Sequence, residues 1–548
     1  MIAAGTRRIE LDMKELKDYL AKARPAVGEE GYEKLTAAIE TLAYLTDVVG
    51  DKDTTISKLR KMLFGASTEK TRNVIGSGGA ATAANPDANQ PDTSGTPSAG
   101  DAAAEKAKGH GRNGAAAFTA AARVDVAHSS VKPGQRCPKC EKGKIYRCQE
   151  PAVLVRITGC APLQATVYAL ERWRCNLCGE VFTAAAPEGV GPGRWDEGAA
   201  SMVGLLKYGT GLPFYRLERL QKALGVPLPA STQWEMVKEA AEAIEPAWEE
   251  LIREAAQGEV FHNDDTTAVI LAAIRERRDR EKESRGDRGA GERTGTFTTG
   301  IVSVVGGRKI ALFFTGHQHA GENLRDLLLK RAGGLQPPIQ MCDGLARNEP
   351  ALPEGLKVIL SSCSAHARRQ YVDVASRFPE ECRFVLEVFK DVYRNDDLAR
   401  EQGMTPEERL AFHKATSKPR MDALEQWMAQ QIEEKKVEPN SGLGEAIAYT
   451  QSRWTRLNRF LEFAGAPLDN NVCERALKKA ILSRKNSYFY KTDRGAHVGD
   501  VFMSLIHTTE LVGGNPFEYL TELQKHAKEV AANPSSWMPW NYRETMKG

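Results

Sequence analysis

The chain has 548 residues, of which 41% are hydrophobic and 27% charged, and its formal net charge is +3. This composition excludes a wholly disordered or polybasic chain, and the length predicts three to four domains at roughly 150 residues each. Any contact with nucleic acid must therefore come from local basic patches. No apolar run approaches the ~18 residues of a membrane helix, and the N-terminus lacks the apolar segment of a signal peptide, so we expect a cytoplasmic protein without membrane contact.

The N-terminal region has a helical pattern followed by a polar stretch. Between residues 8 and 64, apolar side chains such as Leu35 and Val49 belong to a series that repeats at three- and four-residue steps. This seam fits either a coiled coil with a second copy or a helical hairpin packed on the rest of the chain. From about residue 75 to 114 large apolar residues are almost absent, which predicts a disordered linker.

Two Cys-x-x-Cys pairs follow the linker, and β-type sequence joins them. Ten cysteines in 548 residues are too few for a disulfide scaffold, so close pairs indicate a metal site first. Four thiolates on two tight turns close a tetrahedral, structural Zn²⁺ site. The sequence therefore predicts a zinc ribbon whose ligands are Cys137, Cys140, Cys175 and Cys178.

The segment from about residue 195 to 256 has the cadence of a helix-turn-helix. One helix is expected to run from Pro213 to near Gly225, and Ser231 is placed to cap the next. In that second helix Gln233 and Lys238 could face a DNA groove. An ordinary pair of packed helices is the alternative.

After Gly258 the pattern changes to five short apolar strands, with one helical stretch before the fourth. Helices then fill the chain from residue 365 to about 465 and again beyond residue 469. This order predicts a mixed α/β sheet covered by helices. The charged stretch from Arg275 to Arg293 interrupts the first hairpin and is expected to be an exposed, mobile loop.

Three carboxylates stand at informative places. Asp264 and Asp343 are each expected to end a strand, and Glu474 lies in the first turn of a helix. Acids gathered at this edge of a sheet could hold two hard divalent cations, which can drive phosphodiester chemistry. Spacing alone leaves simpler alternatives open, because both aspartates fit turn positions and Glu474 fits a helix capping box.

Four sequence blocks resemble the signature blocks of the insertion-sequence 66 family of bacterial transposases, the TnpC type. They are HNDDTT (262–267), QMCDG (340–344), CSAHARRQYVD (363–373) and DNNVCERALKKAILSRKNSYFYKTDRGA (469–496). The resemblance implies a ribonuclease-H-like core that a helical insertion divides. It also implies a catalytic and Mg²⁺-binding (or Mn²⁺-binding) triad of Asp264, Asp343 and Glu474.

The resemblance has limits at named positions. Asp265 stands where relatives often have Glu and is the weaker alternative to Asp264. Thr267 replaces a proline common in relatives, and the second block lacks the aromatic residue usually found near its Asp. The pair Cys363 and His366 matches a Cys-x-x-His feature of the family, which fits a buried structural pair better than a metal site.

The resemblance further implies that the protein binds terminal inverted repeats and cleaves and joins DNA with Mg²⁺. Pairing of two ends implies at least a homodimer, and relatives often work beside small accessory proteins. The alternatives are an inactive, transposase-derived DNA-binding protein and a nuclease that cuts without joining. Phosphate contacts and base stacking are expected from a run of basic and aromatic residues. That run comprises Arg475, Lys478, Lys479, Arg484, Lys485 and Tyr488.

The predicted fold class is thus α/β and multidomain. Its regions are an N-terminal helical or coiled-coil region (1–74), a disordered linker (75–114), a zinc ribbon (115–190), a helix-turn-helix-like region (191–257), the first part of a ribonuclease-H-like core (258–378), a helical insertion (379–465), the second part of the core with the catalytic Glu (466–512) and a C-terminal helical tail (513–548). A DNA-acting protein of this kind would be nucleoid-associated.

Overall fold

The structure, a computed structural model, describes residues 132–146, 160–174, 176, 178, 180–191, 193–283 and 295–547, together with residues 22, 25, 28, 32, 35 and 36. Those six N-terminal residues are helical, whereas the predicted coiled-coil seam as a whole and the linker lie outside the described residues. The chain divides into two compact units, and the helical stretch 364–465 belongs to one while residues 81–363 and 466–548 form the other. Within the described ranges, no helix combines the length and hydrophobicity needed to cross a lipid bilayer.

The first regular elements are a short hairpin and three helices. Strands β1 (Arg172–Arg174) and β2 (Val181–Thr183) pair antiparallel. Helix α1 (Glu197–Gly204) runs directly into a π-helical turn (Leu205–Gly209), and α2 (Phe214–Ala223) and α3 (Ala230–Ala255) follow.

The turn between α2 and α3 is held by side chains that the sequence suggested for other roles. Gln233 is fully buried, and its Nε2 donates to the backbone oxygens of Phe214 and Leu228 at 3.1 and 2.9 Å. The prediction that Gln233 faces a DNA groove is therefore wrong. The cap expected from Ser231 is also absent, because α3 already begins at Ala230, whose amide donates to the Glu218 carboxylate.

A five-stranded mixed sheet forms the centre of the larger unit. Its strands are β3 (Val260–Ala268), β4 (Thr296–Val305), β5 (Arg308–Gly316), β6 (Ile339–Cys342) and β7 (Ile359–Ser362), in the order β5-β4-β3-β6-β7. The pairs β5–β4 and β4–β3 are antiparallel, whereas β3–β6 and β6–β7 are parallel. The prediction of a mixed α/β sheet is confirmed.

Helices cover this sheet and complete the unit. Two of them, α4 (Leu271–Glu283) and α5 (Ala320–Leu328), lie between strands in the sequence. Helix α4 contradicts part of the predicted mobile loop, because residues 275–283 continue the helix. Opposite charges three and four residues apart, such as Arg275 and Asp279, suit an exposed helix, and the amide of Leu271 is anchored on the Tyr490 carbonyl.

Residues 364–465 of the smaller unit are helical, as predicted for this part of the chain. Its helices are α6 (Ser364–Val374), α7 (Pro379–Glu401), α8 (Pro406–Thr416), α9 (Lys418–Glu433), α10 (Gly442–Ser452) and α11 (Trp454–Leu457). Asp396 on α7 joins two of these helices, because it accepts hydrogen bonds from Arg409 and the buried His413 on α8. Burial alone would raise the pKa of Asp396, but these two partners outweigh it and lower the pKa to about 2.

The C-terminal part of the chain returns to the sheet of the larger unit. Its helices are α12 (Asn471–Ser487), α13 (Asp493–Leu511), α14 (Pro516–Lys525), α15 (Ala527–Ala532) and α16 (Tyr542–Thr545). Helix α12 packs on β3 and β4, and α13 packs on β5.

Helix α13 seals the outer edge of the sheet with polar side chains. Asp500, Ser504 and Thr508 lie four residues apart on one helix face, and they accept hydrogen bonds from every second amide of β5. Those donors are the backbone N–H groups of Ala311, Phe313 and Thr315, at 3.0, 3.0 and 2.7 Å from their acceptors. An edge strand normally leaves such groups open for pairing with another chain, and here they are used internally.

Candidate active site and nucleic-acid interface

Two aspartates lie level with each other where the parallel part of the sheet ends. The parallel ladder between β3 and β6 ends at the pair His262–Met341, and Asp264 and Asp343 each lie two residues further on. The sequence predicted that Asp264 ends its strand. This is wrong, because β3 continues to pair with β4 as far as Ala268. Asp343 leaves β6 and accepts the Leu345 amide at 3.0 Å, which is the turn contact expected for an Asp-Gly pair.

One side-chain amide connects the two carboxylates. Nδ2 of Asn348 donates to Oδ1 of Asp343 at 2.8 Å and to Oδ1 of Asp264 at 3.2 Å. These two oxygens are therefore separated by no more than about 6 Å. The structure thus brings Asp264 and Asp343 together, as predicted from their positions at one edge of the sheet.

Helix α12 is anchored beside this pair by the residue that precedes it. Nδ2 of Asn470 donates to the Asn263 carbonyl at 3.1 Å, and Oδ1 of Asn470 lies 3.3 Å from Nδ1 of His262. Because the Asn470 amide group is the donor to Asn263, its oxygen accepts from a protonated Nδ1 of His262. The backbone N–H of Asn470 also donates to the buried Cys363 sulfur at 3.2 Å.

Glu474 lies one helical turn after this anchor, and its backbone N–H donates to the Asn470 carbonyl at 3.1 Å. The capping-box alternative for Glu474 is wrong, because the helix begins at Asn471 and Asn470 makes no side-chain cap. Within the described residues, Asp264, Asp343 and Glu474 do not form a group whose ligand atoms all lie within 4.8 Å of one another.

A glycine lets α12 approach the sheet closely. Gly300 on β4 pairs with Asp264 across the ladder. A Cβ atom at this position would lie 3.0 Å from Leu477 and 3.6 Å from the Cys473 sulfur. The Cys473 thiol donates to the Gly300 carbonyl at 3.2 Å. The missing side chain thus fixes how near the Glu474 helix comes to the aspartates.

Burial shapes the protonation of the residues in β3. Burial raises the pKa of Asp264 to about 6, and the charges of Asp343 and Asp265 add to this effect, whereas the hydrogen bonds from the Asp265 amide and Asn348 oppose it. Burial lowers the pKa of His262 to about 4, although the hydrogen bond that its Nδ1 donates to Asn470 opposes this shift. At neutral pH, Asp264 is therefore ionised and His262 is uncharged.

Asp265 is occupied by other partners. Its carboxylate is 2% exposed and pairs with Nδ1 of His319 at 2.8 Å and with the Arg347 guanidinium at 3.4 Å. His319 is the residue before α5, so Asp265 ties β3 to that helix. These contacts support a structural role and leave Asp264 as the better candidate for the triad.

The basic residues of α12 fall into two groups. Arg475, Lys478 and Lys485 are exposed along one face of the helix, and Tyr488 just beyond it is 67% exposed. In contrast, Lys479 pairs with Glu510 at 2.7 Å.

Arg484 is engaged at the end of β3. Its guanidinium donates to the hydroxyl of Thr266 at 3.1 Å and to the hydroxyl and carbonyl of Thr267. Thr267 thus supplies a partner for this arginine through both its side chain and its backbone. These contacts favour a structural role for Arg484, which joins α12 to the end of β3, over the predicted contact with DNA.

A second basic surface, which sequence analysis missed, lies on α2. Arg216, Arg219 and Lys222 are exposed on this helix beside exposed Tyr215 and Leu220. The charges are visible in the sequence as RLERLQK (216–222), whereas a helix-turn-helix pattern assigns the groove contacts to the second helix. On α3 Lys238 is exposed, as predicted.

The described cysteines of the predicted zinc ribbon lie in tight turns. Arg136 and Lys144 form an antiparallel bridge around Cys137 and Cys140, and the Cys137 amide donates to the Gly143 carbonyl at 2.7 Å. Strands β1 and β2 likewise enclose the second pair. Cys178 is exposed, and Cys175 lies outside the described residues, so four-thiolate coordination stays a prediction.

Comparison with known proteins identifies similar sequences. Residues 192–498 match the family model described as "Transposase IS66 family". Two similar proteins of Sinorhizobium fredii (strain NBRC 101917 / NGR234) are the uncharacterized proteins y4hP and y4jD. The first is 26% identical over 391 residues, covering 68% of this chain and 67% of that protein. The second is 31% identical over 195 residues, covering 34% of this chain and 37% of that protein.

Proposed function

Because the chain belongs to the insertion-sequence 66 family of transposases, we propose that it is a DNA transposase that cleaves and joins DNA through Asp264, Asp343 and Glu474. The observation that carries this proposal is the aspartate pair, which two neighbouring parallel strands present at one level and which Asn348 connects. DNA is the partner that the family implies, and cleavage at terminal inverted repeats is the finer part of the proposal.

The sheet supports a ribonuclease-H-like core. The strand order is β5-β4-β3-β6-β7. Strands β5, β4 and β3 are antiparallel neighbours, and β6 and β7 run parallel to the central strand β3. This arrangement is the one expected of that fold. The helical stretch 364–465 separates the second aspartate from Glu474 in the sequence. This separation supports the helical insertion that the family resemblance implies between the two parts of the core.

The donor set suits hard divalent cations. Carboxylate oxygens are the ligands that Mg²⁺ and Mn²⁺ prefer, and Asp264 is ionised above about pH 6. When bound, such ions supply electrostatic stabilisation to the attacking and leaving oxygens of a phosphodiester. Asp264 and Asp343 would hold them from the sheet and Glu474 from α12, and the three carboxylates would have to draw closer to one another than they lie now.

The exposed face of α12 suits the DNA backbone. Arg475, Lys478 and Lys485 continue from the Glu474 turn along one side of the helix, and Tyr488 follows with an exposed ring for stacking on an unpaired base. Lys479 is left out of this interface because Glu510 already neutralises it. Replacing Arg475, Lys478 and Lys485 together should flatten the salt dependence of DNA binding by about 0.9 per lost phosphate contact, whereas Lys479→Ala should leave the slope unchanged.

The α2 surface is proposed as a second backbone contact. Its three cations are exposed, and the neighbouring Glu218 carboxylate is turned toward the Ala230 amide. Lys238 on α3 extends the positive charge of the helix pair. In this proposal DNA contacts α2 and the N-terminal part of α3. The buried Gln233 takes no part in the interface.

A structural Zn²⁺ is proposed for the cysteine pairs. The turns around Cys137 and Cys140, and the hairpin around the second pair, are the supports that a tetrahedral thiolate site needs. Cys137→Ser should lower the zinc content measured by plasma mass spectrometry from about one ion per chain to a small fraction of that. An unchanged zinc content would exclude this site.

Incubation of the full-length protein with labelled element-end DNA, Mg²⁺ and unlabelled target DNA tests the main proposal. Nicked ends and strand-transfer products are both expected, and Asp343→Asn should abolish both. Asp422→Asn is the control, because Asp422 is a half-exposed partner of Lys418 on α9.

Other outcomes distinguish the alternatives. Nicking without joined products would indicate a nuclease, and DNA binding without either product would indicate an inactive DNA-binding relative. Equal activity of Asp343→Asn and the parent would contradict the triad. Pairing of two ends also requires at least a dimer, which sedimentation of the protein–DNA complex can measure.

A further inference from the structure

Asn348 is the residue that connects the two aspartates, and it is fully buried. It is the last residue of a short 3₁₀ turn, Ala346–Asn348. Its amide group is the shared donor to Asp264 and Asp343 described above. A buried side chain that donates to two carboxylates at once is well placed to control the distance between them.

A cluster of buried amides holds Asn348 in place from both strands. The Asn348 carbonyl accepts from Nδ2 of Asn263 at 2.8 Å and from Nε2 of Gln340 at 2.7 Å. The same Gln340 nitrogen also donates to Oδ1 of Asn263 at 2.9 Å. Asn263 and Gln340 are fully buried, and they lie on β3 and β6, the strands that carry the two aspartates. The Asn348 backbone is thus held by side chains of the same two strands that carry the aspartates.

The same turn is fastened at a second point. Arg347, the neighbour of Asn348, pairs with Asp265, and Asp265 directly follows Asp264. The turn therefore contacts two successive residues of β3 through two successive residues of its own. Withdrawal of the turn from β3 would require both contacts to break.

We propose that Asn348 is a positioning residue that holds Asp264 and Asp343 at the separation needed to receive a divalent cation. Two like charges repel at this distance, and a donor between them offsets the repulsion. A pair that is already in place binds an ion without first being drawn together, which strengthens binding. The inference rests on the proposed function, because it takes the aspartates as ligands.

Binding of Mn²⁺ to the full-length protein, followed by electron paramagnetic resonance, tests the inference without a measurement of activity. Asn348→Ala should bind Mn²⁺ about ten- to a hundredfold more weakly than the parent, as is usual when a partner of a metal ligand is removed. Asn323→Ala is the matched control, because Asn323 is also buried but donates to Thr299 and to the turn before α5. It should lose stability while keeping its affinity for Mn²⁺.

Asn348→Ser provides a second variant in case the alanine variant does not fold. Its hydroxyl can donate to only one carboxylate, so an intermediate loss of affinity of several-fold is expected. Mn²⁺ binding within twofold of the parent in either folded variant would overturn the inference alone. A parent that binds no Mn²⁺, or whose binding survives Asp343→Asn, would overturn the proposed metal site together with it.

Discussion

Replacement of Gly300 by alanine tests whether the distance between α12 and the sheet sets the geometry of the candidate site. The added Cβ would lie 3.0 Å from Cγ and Cδ2 of Leu477. Ordinary carbon–carbon contacts are ~3.5–4.0 Å, so Leu477 must retreat by about 0.5–1 Å. Overpacking of this kind costs about 1–3 kcal/mol. Leu477 lies one turn from Glu474, so the same retreat moves the carboxylate.

The assay combines thermal unfolding with cleavage of labelled end DNA. Gly300→Ala should unfold at a lower temperature, and it should lose up to about 100-fold in cleavage rate, because a displacement near 1 Å is enough for such a loss. Gly316→Ala is the control, since nothing lies within 4 Å of a Cβ at the end of β5. It should be as stable and active as the parent.

A double variant identifies Leu477 as the cause. Leu477→Ala alone should cost about 2–5 kcal/mol by leaving a cavity. In the Gly300→Ala/Leu477→Ala protein the new methyl group occupies part of that space, so the combined loss should be smaller than the sum of the two by at least about 1 kcal/mol. Additive losses would refute the close-approach argument.

Three further changes have defined outcomes. Asp396→Asn should lower the free energy of unfolding of the helical unit by about 2 kcal/mol at pH 7, since the pKa of Asp396 is lowered to about 2. This difference should persist above pH 4 and vanish in urea titrations as the pH falls toward 2. Asp264→Asn should stabilise the metal-free protein by about 1–3 kcal/mol at pH 7, because the pKa of Asp264 is raised to about 6. Ionisation of the buried carboxyl lowers the stability of the parent progressively as the pH rises from about 4 through 6. Equal stability of the two proteins at pH 7 would contradict the burial argument. Ser504→Ala should cost about 1–3 kcal/mol, because it leaves the Phe313 amide without its acceptor, and calorimetry can detect a loss of this size.

The sequence was sufficient to predict the five strands and the helix before the fourth. Their apolar runs are short and end at clear turn residues, and the central strand β3 is buried over Val260–Asn263. The predicted alignment of Asp264 with Asp343 followed from the rule that parallel strands end at one edge. These features depend on local pattern, which a single sequence contains.

Features that depend on distant partners were missed. Asp264 looked like a strand end because the residues around it do not reveal how long β3 pairs with β4. The ladder with β4 continues after the parallel ladder with β6 has ended. Gln233 looked like a surface residue, but its side-chain amide donates to the carbonyls of Phe214 and Leu228, 19 and 5 residues earlier in the chain. Asn348 gave no signal at all, because it acts by joining two partners that lie 84 and 5 residues earlier in the chain.

The polar face of α13 has a consequence for how copies of this protein can meet. Three outward amides of β5 already find acceptors within their own chain. An extended peptide from a neighbouring molecule would have to displace Asp500, Ser504 and Thr508 before it could add as a sixth strand there. Copies of this protein that associate would therefore have to meet elsewhere, because extending the sheet past β5 is blocked by these three hydrogen bonds.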